Sequence, residues 1–218
     1  MRTSYQESLV KLKQAVIEMA DHALINIENG LKAFKQKDAV LATLTIQKDN
    51  EIDALEETIA KDALKIIWKE QPIAQDLRLV TTILKVITDI ERIADHATDI
   101  SEIYLHLEQD SSQRDLSMLF EMALISTTMV KNAIDALVKE DAILARMTIE
   151  KDDSVDLLYK KLIQLITTWL KDNVDDSNYV ISVLLIGKYL ERVADHAVNI
   201  AEWVIFLTTG HHKNTQLY

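Results

Sequence analysis

Glu91-Arg-Ile-Ala-Asp-His-Ala-Thr-Asp-Ile100 recurs as Glu191-Arg-Val-Ala-Asp-His-Ala-Val-Asn-Ile200. Seven of the ten positions are identical at an offset of 100. Upstream, Asp38 to Leu55 matches Asp141 to Leu158 at an offset of 103, with ten of eighteen identical. The offset falls by three between these blocks, across the stretches that hold the Gln71–Gln75 turn and the 172–178 turn. The chain is therefore an internal duplication. Apolar residues recur every three or four positions, as in Leu9, Leu12, Val16, Met19, Ala23 and Ile27. That spacing is the mark of amphipathic helices.

The spacing predicts six helices, near 4–35, 38–68, 73–107, 114–139, 141–170 and 178–208. Each is about 30 residues, or about 45 Å, long. Breaks are expected at Asn29-Gly30, Gln71-Pro72, 109–113 and 172–178. Long helices with short connections pack as antiparallel bundles. The expected architecture is all-α: two tandem three-helix bundles, residues 1–110 and 111–218, side by side. Three glycines and one proline in 218 residues cannot supply the turns of a β-sandwich or barrel.

The net charge of −11 argues against nucleic acid and anionic membrane surfaces as partners. No apolar run approaches the ~18 residues of a membrane span, and Met1 to Gln14 shows no secretory signal. A cytoplasmic location is expected. Without cysteine there is no disulfide, zinc–thiolate site or thiol catalysis.

Shared leucines follow from shared cores; shared acids do not. Glu91 and Asp95 stand four apart, nearly opposite the apolar stripe of their helix, as do Glu191 and Asp195. The preceding helices carry Asp49 with Asp53, and Asp152 with Asp156. If helices two and three of each unit are antiparallel neighbours, four carboxylates converge in each half. Like charges at i, i+4 destabilise a helix by a few tenths of a kcal/mol; a bound cation reverses that sign. Carboxylates suit Mg²⁺, Mn²⁺, Ca²⁺ or oxidised iron, and the small Ala94 and Ala194 would leave room for an ion cluster. A lone acid pair is ordinarily a solvated face; two pairs repeated in register favour ion binding.

His96 and His196 are expected to hydrogen-bond at a boundary rather than ligate. Arg92 and Arg192 are expected to balance nearby acids. His211 and His212 lie in a tail expected to be mobile. The tryptophans and methionines are expected in the core.

Glu91-Arg-Ile-Ala-Asp-His-Ala, Glu191-Arg-Val-Ala-Asp-His-Ala and Gln71-Pro-Ile-Ala-Gln-Asp-Leu-Arg78, in this order, resemble the PhoU family of phosphate-signalling proteins over roughly 5–208. The resemblance implies two three-helix bundles with pseudo-twofold symmetry, carrying metal clusters, iron or zinc among them, at E(D)xxxD motifs on the surface; manganese or magnesium would suit the same carboxylates. Its ligands would be Asp49, Asp53, Glu91 and Asp95, then Asp152, Asp156, Glu191 and Asp195. It also implies a non-enzymatic negative regulator of the phosphate regulon, joining a phosphate ABC transporter to a sensor histidine kinase, and a homodimer. Two departures stand out. The second half has no proline before its last helix, and Asp99 is answered by Asn199, so the two sites differ in charge. The competing reading is a di-iron carboxylate enzyme. That class needs Glu-x-x-His pairs in a bundle core, and no Glu-x-x-His occurs here.

Overall fold

The computed structural model describes residues 2–107, 114–172, 177–212 and 215–216. It contains α1 (Arg2–Gln36), α2 (Ala39–Glu70), α3 (Ala74–His106), α4 (Ser117–Lys139), α5 (Ala142–Asp172) and α6 (Ser177–Thr209). The six expected helices are present. The division between 110 and 111, the polar cluster at 109–113 and most of 172–178 lie outside the described residues.

The duplication is visible in how the helices end. Lys37 and Glu140 adopt left-handed backbone, φ 58° and 55°. Behind them Asp38 N bonds Ala33 O at 3.0 Å and Asp141 N bonds Ala136 O at 2.9 Å. This closes α1 and α4 with the same Schellman-type turn, made without glycine. Asp38 and Asp141 then cap the next helix: each Oδ1 accepts from the backbone, Leu41 N at 2.9 Å and Leu144 N at 3.0 Å.

Each half is a triangle of helices, α1–α2–α3 and α4–α5–α6. The halves join mainly through α3 against α6, with a smaller contact of α1 with α4. The central pair is antiparallel. Arg78 Nε donates to Leu207 O at 3.1 Å, and further along His196 meets Asp89. Val86, Ile90, Ile93, Ala97 and Ile100 are fully buried, as are Val183, Ile186, Leu190, Val193 and Ala197. At one end, Lys13 Nζ reaches Glu140 Oε1 at 2.9 Å and Val138 O at 3.1 Å. Gln75 donates to the other Glu140 oxygen at 2.7 Å.

Three expectations change. Asn29-Gly30 is no break, since α1 runs through it. Gly30 is there because α3 comes close: a methyl at 30 would lie 3.0 Å from Ala97 O and 3.1 Å from Ser101 Oγ. Gly30→Ala is expected to cost about 1–3 kcal/mol of stability, although Ala in a helix normally gains ~1 kcal/mol over Gly. Denaturant unfolding checks this; an unchanged midpoint would mean that α1 can move off α3 freely. Trp68 is 81% exposed and Met147 60% exposed rather than in the core, whereas Trp169 is buried. Beyond Gly210, where a mobile tail is expected, His211 pairs with Gln216 and His212 with Thr215 in a short antiparallel ladder. Among the described residues no helix is long and apolar enough to cross a membrane.

Candidate metal-binding carboxylate clusters

The Asp38 and Asp141 caps set the registers of α2 and α5, so Asp49 and Asp152 fall at matching heights about three turns on. Asp53 and Asp156 follow one turn later. From the facing helices come Glu91 and Asp95 on α3, and Glu191 and Asp195 on α6.

The expected convergence is seen in the electrostatics. Burial, then Asp53 and Asp95, push the Asp49 carboxyl up to about 6; Asp99 adds to this and the Thr98 hydroxyl offsets part of it. Glu91 is raised by burial and by Asp95, against the lowering effect of Arg92, with Glu56 and Asp53 contributing. In the second half, burial, then Asp195, Asp156 and Glu191, push Asp152 up to about 6. Asp195 is raised by burial and Glu191, against Lys188, with Asp156 adding. All eight acids thus act on one another within their own half.

Their setting differs from a solvated face. The side chains of Glu91 and Glu191 are only 18% and 15% exposed. They lie in the grooves α2/α3 and α5/α6, where the neighbouring helix shields them. Ala94 and Ala194 are fully buried in the core rather than beside the acids, since one residue is a 100° turn of the helix.

The donor set suits a hard cation. Asp49 Oδ1 is buried with no donor at hydrogen-bond distance, and the Thr98 hydroxyl, near enough to lower this carboxyl, is likewise without a partner. Glu91 Oε2 also accepts no hydrogen bond, its neighbour being the Arg92 guanidinium with Nε at 3.3 Å. A buried oxygen without a donor is costly, and a cation would satisfy it. The ligand shell is not preformed: among the described residues no group of three or more His, Asp or Glu is already placed to hold an ion. Ion binding here needs rotation of these side chains. In the first half it also needs Arg92 to leave Asp95, to which Nη1 donates at 2.8 Å. In the second half the competing cation is Lys188, paired with Glu191, while Arg192 lies over the Tyr189 ring at 6.0 Å. The clusters are equivalent in their acids and different in their counter-charges.

Between them, on the α3–α6 seam, the histidines do hydrogen-bond. His96 Nδ1 meets Asp99 Oδ2 at 3.2 Å. His196 Nδ1 crosses the seam to Asp89 Oδ1 at 2.8 Å, and Asn199 donates to the same oxygen at 3.2 Å. His96 stacks on Tyr189, centroids 5.3 Å apart. An open groove of about 750 Å³ runs along this seam, with Arg92, His96, Asp99, Arg192 and His196 among its walls. Sequence reasoning missed Glu56 and Asp89. Their counterparts are Tyr159 and Tyr189, so a search for repeated acids passes over both. The one available signal was the i, i+3 spacing of Asp53 and Glu56.

The family model of the PhoU domain matches residues 16–104 and again 119–204. A phosphate-specific transport system accessory protein PhoU homolog of Clostridium acetobutylicum is 30% identical over 210 residues, 96% of each chain. The homolog of Zymomonas mobilis is 34% identical over 95% of this chain and 87% of its own. Among solved structures, PhoU from Pseudomonas aeruginosa superposes with a TM-score of 0.88 at 29% identity, covering 95% of this chain and 100% of that one. The phosphate transport system regulatory protein PhoU from Streptococcus pneumoniae gives 0.86 at 28% identity, covering 95% and 98%. With two domain matches that reproduce its own duplication, and with the same six-helix architecture, this chain belongs to the PhoU family.

Proposed function

We propose that this protein is a regulator of phosphate uptake: a cytoplasmic, metal-binding adaptor between a phosphate ABC transporter and a sensor histidine kinase that keeps phosphate-responsive genes repressed when phosphate is plentiful. Family membership across both halves carries the transport-system role, since the relatives are accessory proteins of phosphate-specific transport. The metal role rests on the two four-carboxylate clusters, each with a carboxyl pushed up to about 6. The unsatisfied Asp49 oxygen supports it in the first half. Iron, zinc, manganese or magnesium fit such oxygen donors, and the adaptor is expected to act as a homodimer. A non-enzymatic role is favoured because each cluster draws its acids from two helices in an outer groove. A di-iron oxidase gathers ligands from four helices inside one bundle.

Two measurements test this. Elemental analysis of protein purified without chelator should find cations in both halves, and exhaustive chelation should leave the helical circular dichroism intact. Deleting the gene should leave phosphate-responsive genes expressed in high phosphate. Normal repression in the deletion strain would overturn the regulatory reading, and metal-free wild-type protein that takes up no added cation would overturn the metal reading.

A further inference from the structure

His96 and His196 stand at the same place in the two copies of the repeat, one on α3 and one on α6. The seam brings their rings together, with centroids 5.7 Å apart. Each ring is held by a carboxylate: His96 Nδ1 faces Asp99 Oδ2, and His196 Nδ1 faces Asp89 Oδ1. The repeat does not supply these acids as a pair, since Asp99 is answered by Asn199 and Asp89 by Tyr189. Both histidines nevertheless have one. An ionised carboxylate only accepts, so Nδ1 carries the proton in each ring, and Nε2 of the neutral ring is left with a lone pair. That is the arrangement of a metal-ligating histidine, in which a carboxylate fixes the ring and its tautomer from behind. His96 is 7% exposed, and its Nε2 is buried without a hydrogen-bond partner. Stacking on Tyr189 accounts for the buried ring. It does nothing for the lone pair, whose burial is costly.

We propose that His96 and His196 form a third cation site, on the seam between the two halves, for one borderline divalent ion such as Zn²⁺. Imidazole nitrogen suits zinc, nickel or copper, whereas carboxylate oxygen suits magnesium, calcium or manganese. The seam site therefore differs in class from the carboxylate clusters and does not depend on their being loaded. Two rings that share an ion about 2.0–2.1 Å from each nitrogen have centroids roughly 5–6 Å apart. The observed 5.7 Å lies within that range, so the ion asks for rotation of the rings and no movement of α3 against α6. The seam groove, walled by both histidines, is open to solvent and gives the ion a way in. Among the described residues no third ligating side chain stands ready beside them, so water completes the shell. An ion held in this way ties α3 to α6, and with them one half of the chain to the other.

The test uses the full chain carrying Asp95→Ala and Asp195→Ala, so that the carboxylate clusters do not compete, with Zn²⁺ as the probe. Calorimetry should find one ion per chain. Nitrogen NMR should show the Nε2 resonances of His96 and His196 shifting together, while those of His22 and His106 stay in place. Adding His96→Phe or His196→Phe, which keeps the ring volume, should weaken binding by at least about tenfold. Asp89→Asn, which loosens His196 from behind, should weaken it about 10–100-fold. Unshifted Nε2 resonances at His96 and His196 would overturn the proposal, as would unchanged affinity in the His196→Phe protein. Shifts confined to His211 and His212 would place the ion on the tail and overturn it equally. If a phenylalanine variant fails to fold, the NMR of the histidine-containing protein and the Asp89→Asn affinity still decide. None of these outcomes bears on the carboxylate clusters, which are read out separately by the metal content of the wild type.

Discussion

Asp95→Ala should empty the first carboxylate cluster and leave the second loaded; Asp195→Ala should do the reverse; the double variant should hold no cation in either cluster. Asp95 is the acid on α3 that acts most strongly on both Asp49 and Glu91. Removing it takes an oxygen donor from the middle of the cluster and frees Arg92 to turn wholly toward Glu91, so the remaining acids are both fewer and more neutralised. Loss of a supporting group around a metal site costs about 10–100-fold in affinity; loss of a ligand itself should cost at least about a hundredfold. The ion-free protein should respond with the opposite sign. With Asp95 absent, the repulsion that helps raise Asp49 is relieved, so stability should stay the same or rise by up to about 1 kcal/mol. Metal counted per chain, together with the thermal midpoint of chelated protein, reads out both effects. Equal metal content in wild type and the double variant would sink the assignment. A loss of several kcal/mol in the ion-free Asp95→Ala protein would show instead that the carboxylate is a structural group.

The parts of this molecule that were legible in its sequence are those set by local rules. Val16, Ile27, Ile90 and Ile93 lie on period-3.6 stripes and are all fully buried. Asp38 and Asp141 stand where a capping acid belongs, and both cap. The eight acids could be gathered into two groups because each belongs to a repeated pair whose helices had to be neighbours. What stayed hidden depends on distances between helices. Gly30 reads as a helix breaker until Ala97 O is seen 3.0 Å from where its Cβ would be. Trp68 follows a helical spacing, but on the side facing water. The angle of Glu91 from its own apolar stripe predicts exposure; the wall supplied by α2 buries it. Asp89 accepts from His196 and Asn199 only because α3 and α6 settle into one register, and no local signal specifies that register.

Lowering the pH from 7 to 5 should weaken cation binding in each half by about tenfold or more, while making the ion-free protein more stable. A cation displaces the proton from each acid that it ligates. Asp49 and Asp152, both pushed up to about 6, are largely ionised at pH 7 and largely protonated at pH 5. One such acid per cluster gives about a tenfold fall over that interval, since each pH unit below the pKa is a factor of ten in the ionised fraction. The raised Glu91 and Asp195 carboxyls add to it. For folding without metal the sign reverses. An acid whose folded pKa lies above its unfolded value, about 4 for Asp, holds more protons folded than unfolded between those values, so stability rises as pH falls through about 6. Glu140 works the other way. Lys13 and Gln75 outweigh the effect of its burial and hold it below the usual range. Its contribution is therefore complete above the unfolded value of about 4.5 and is lost only as pH falls below that. Chelated protein should then show a thermal midpoint that climbs from pH 7 toward about 4.5 and turns over below. Metal-loaded protein carries the additional linkage stabilisation of a ligand bound only by the folded state, and should show a midpoint that falls across the same interval. Two melting curves against pH decide the matter. Parallel slopes with and without metal would mean that the ion is held somewhere other than at Asp49 and Asp152.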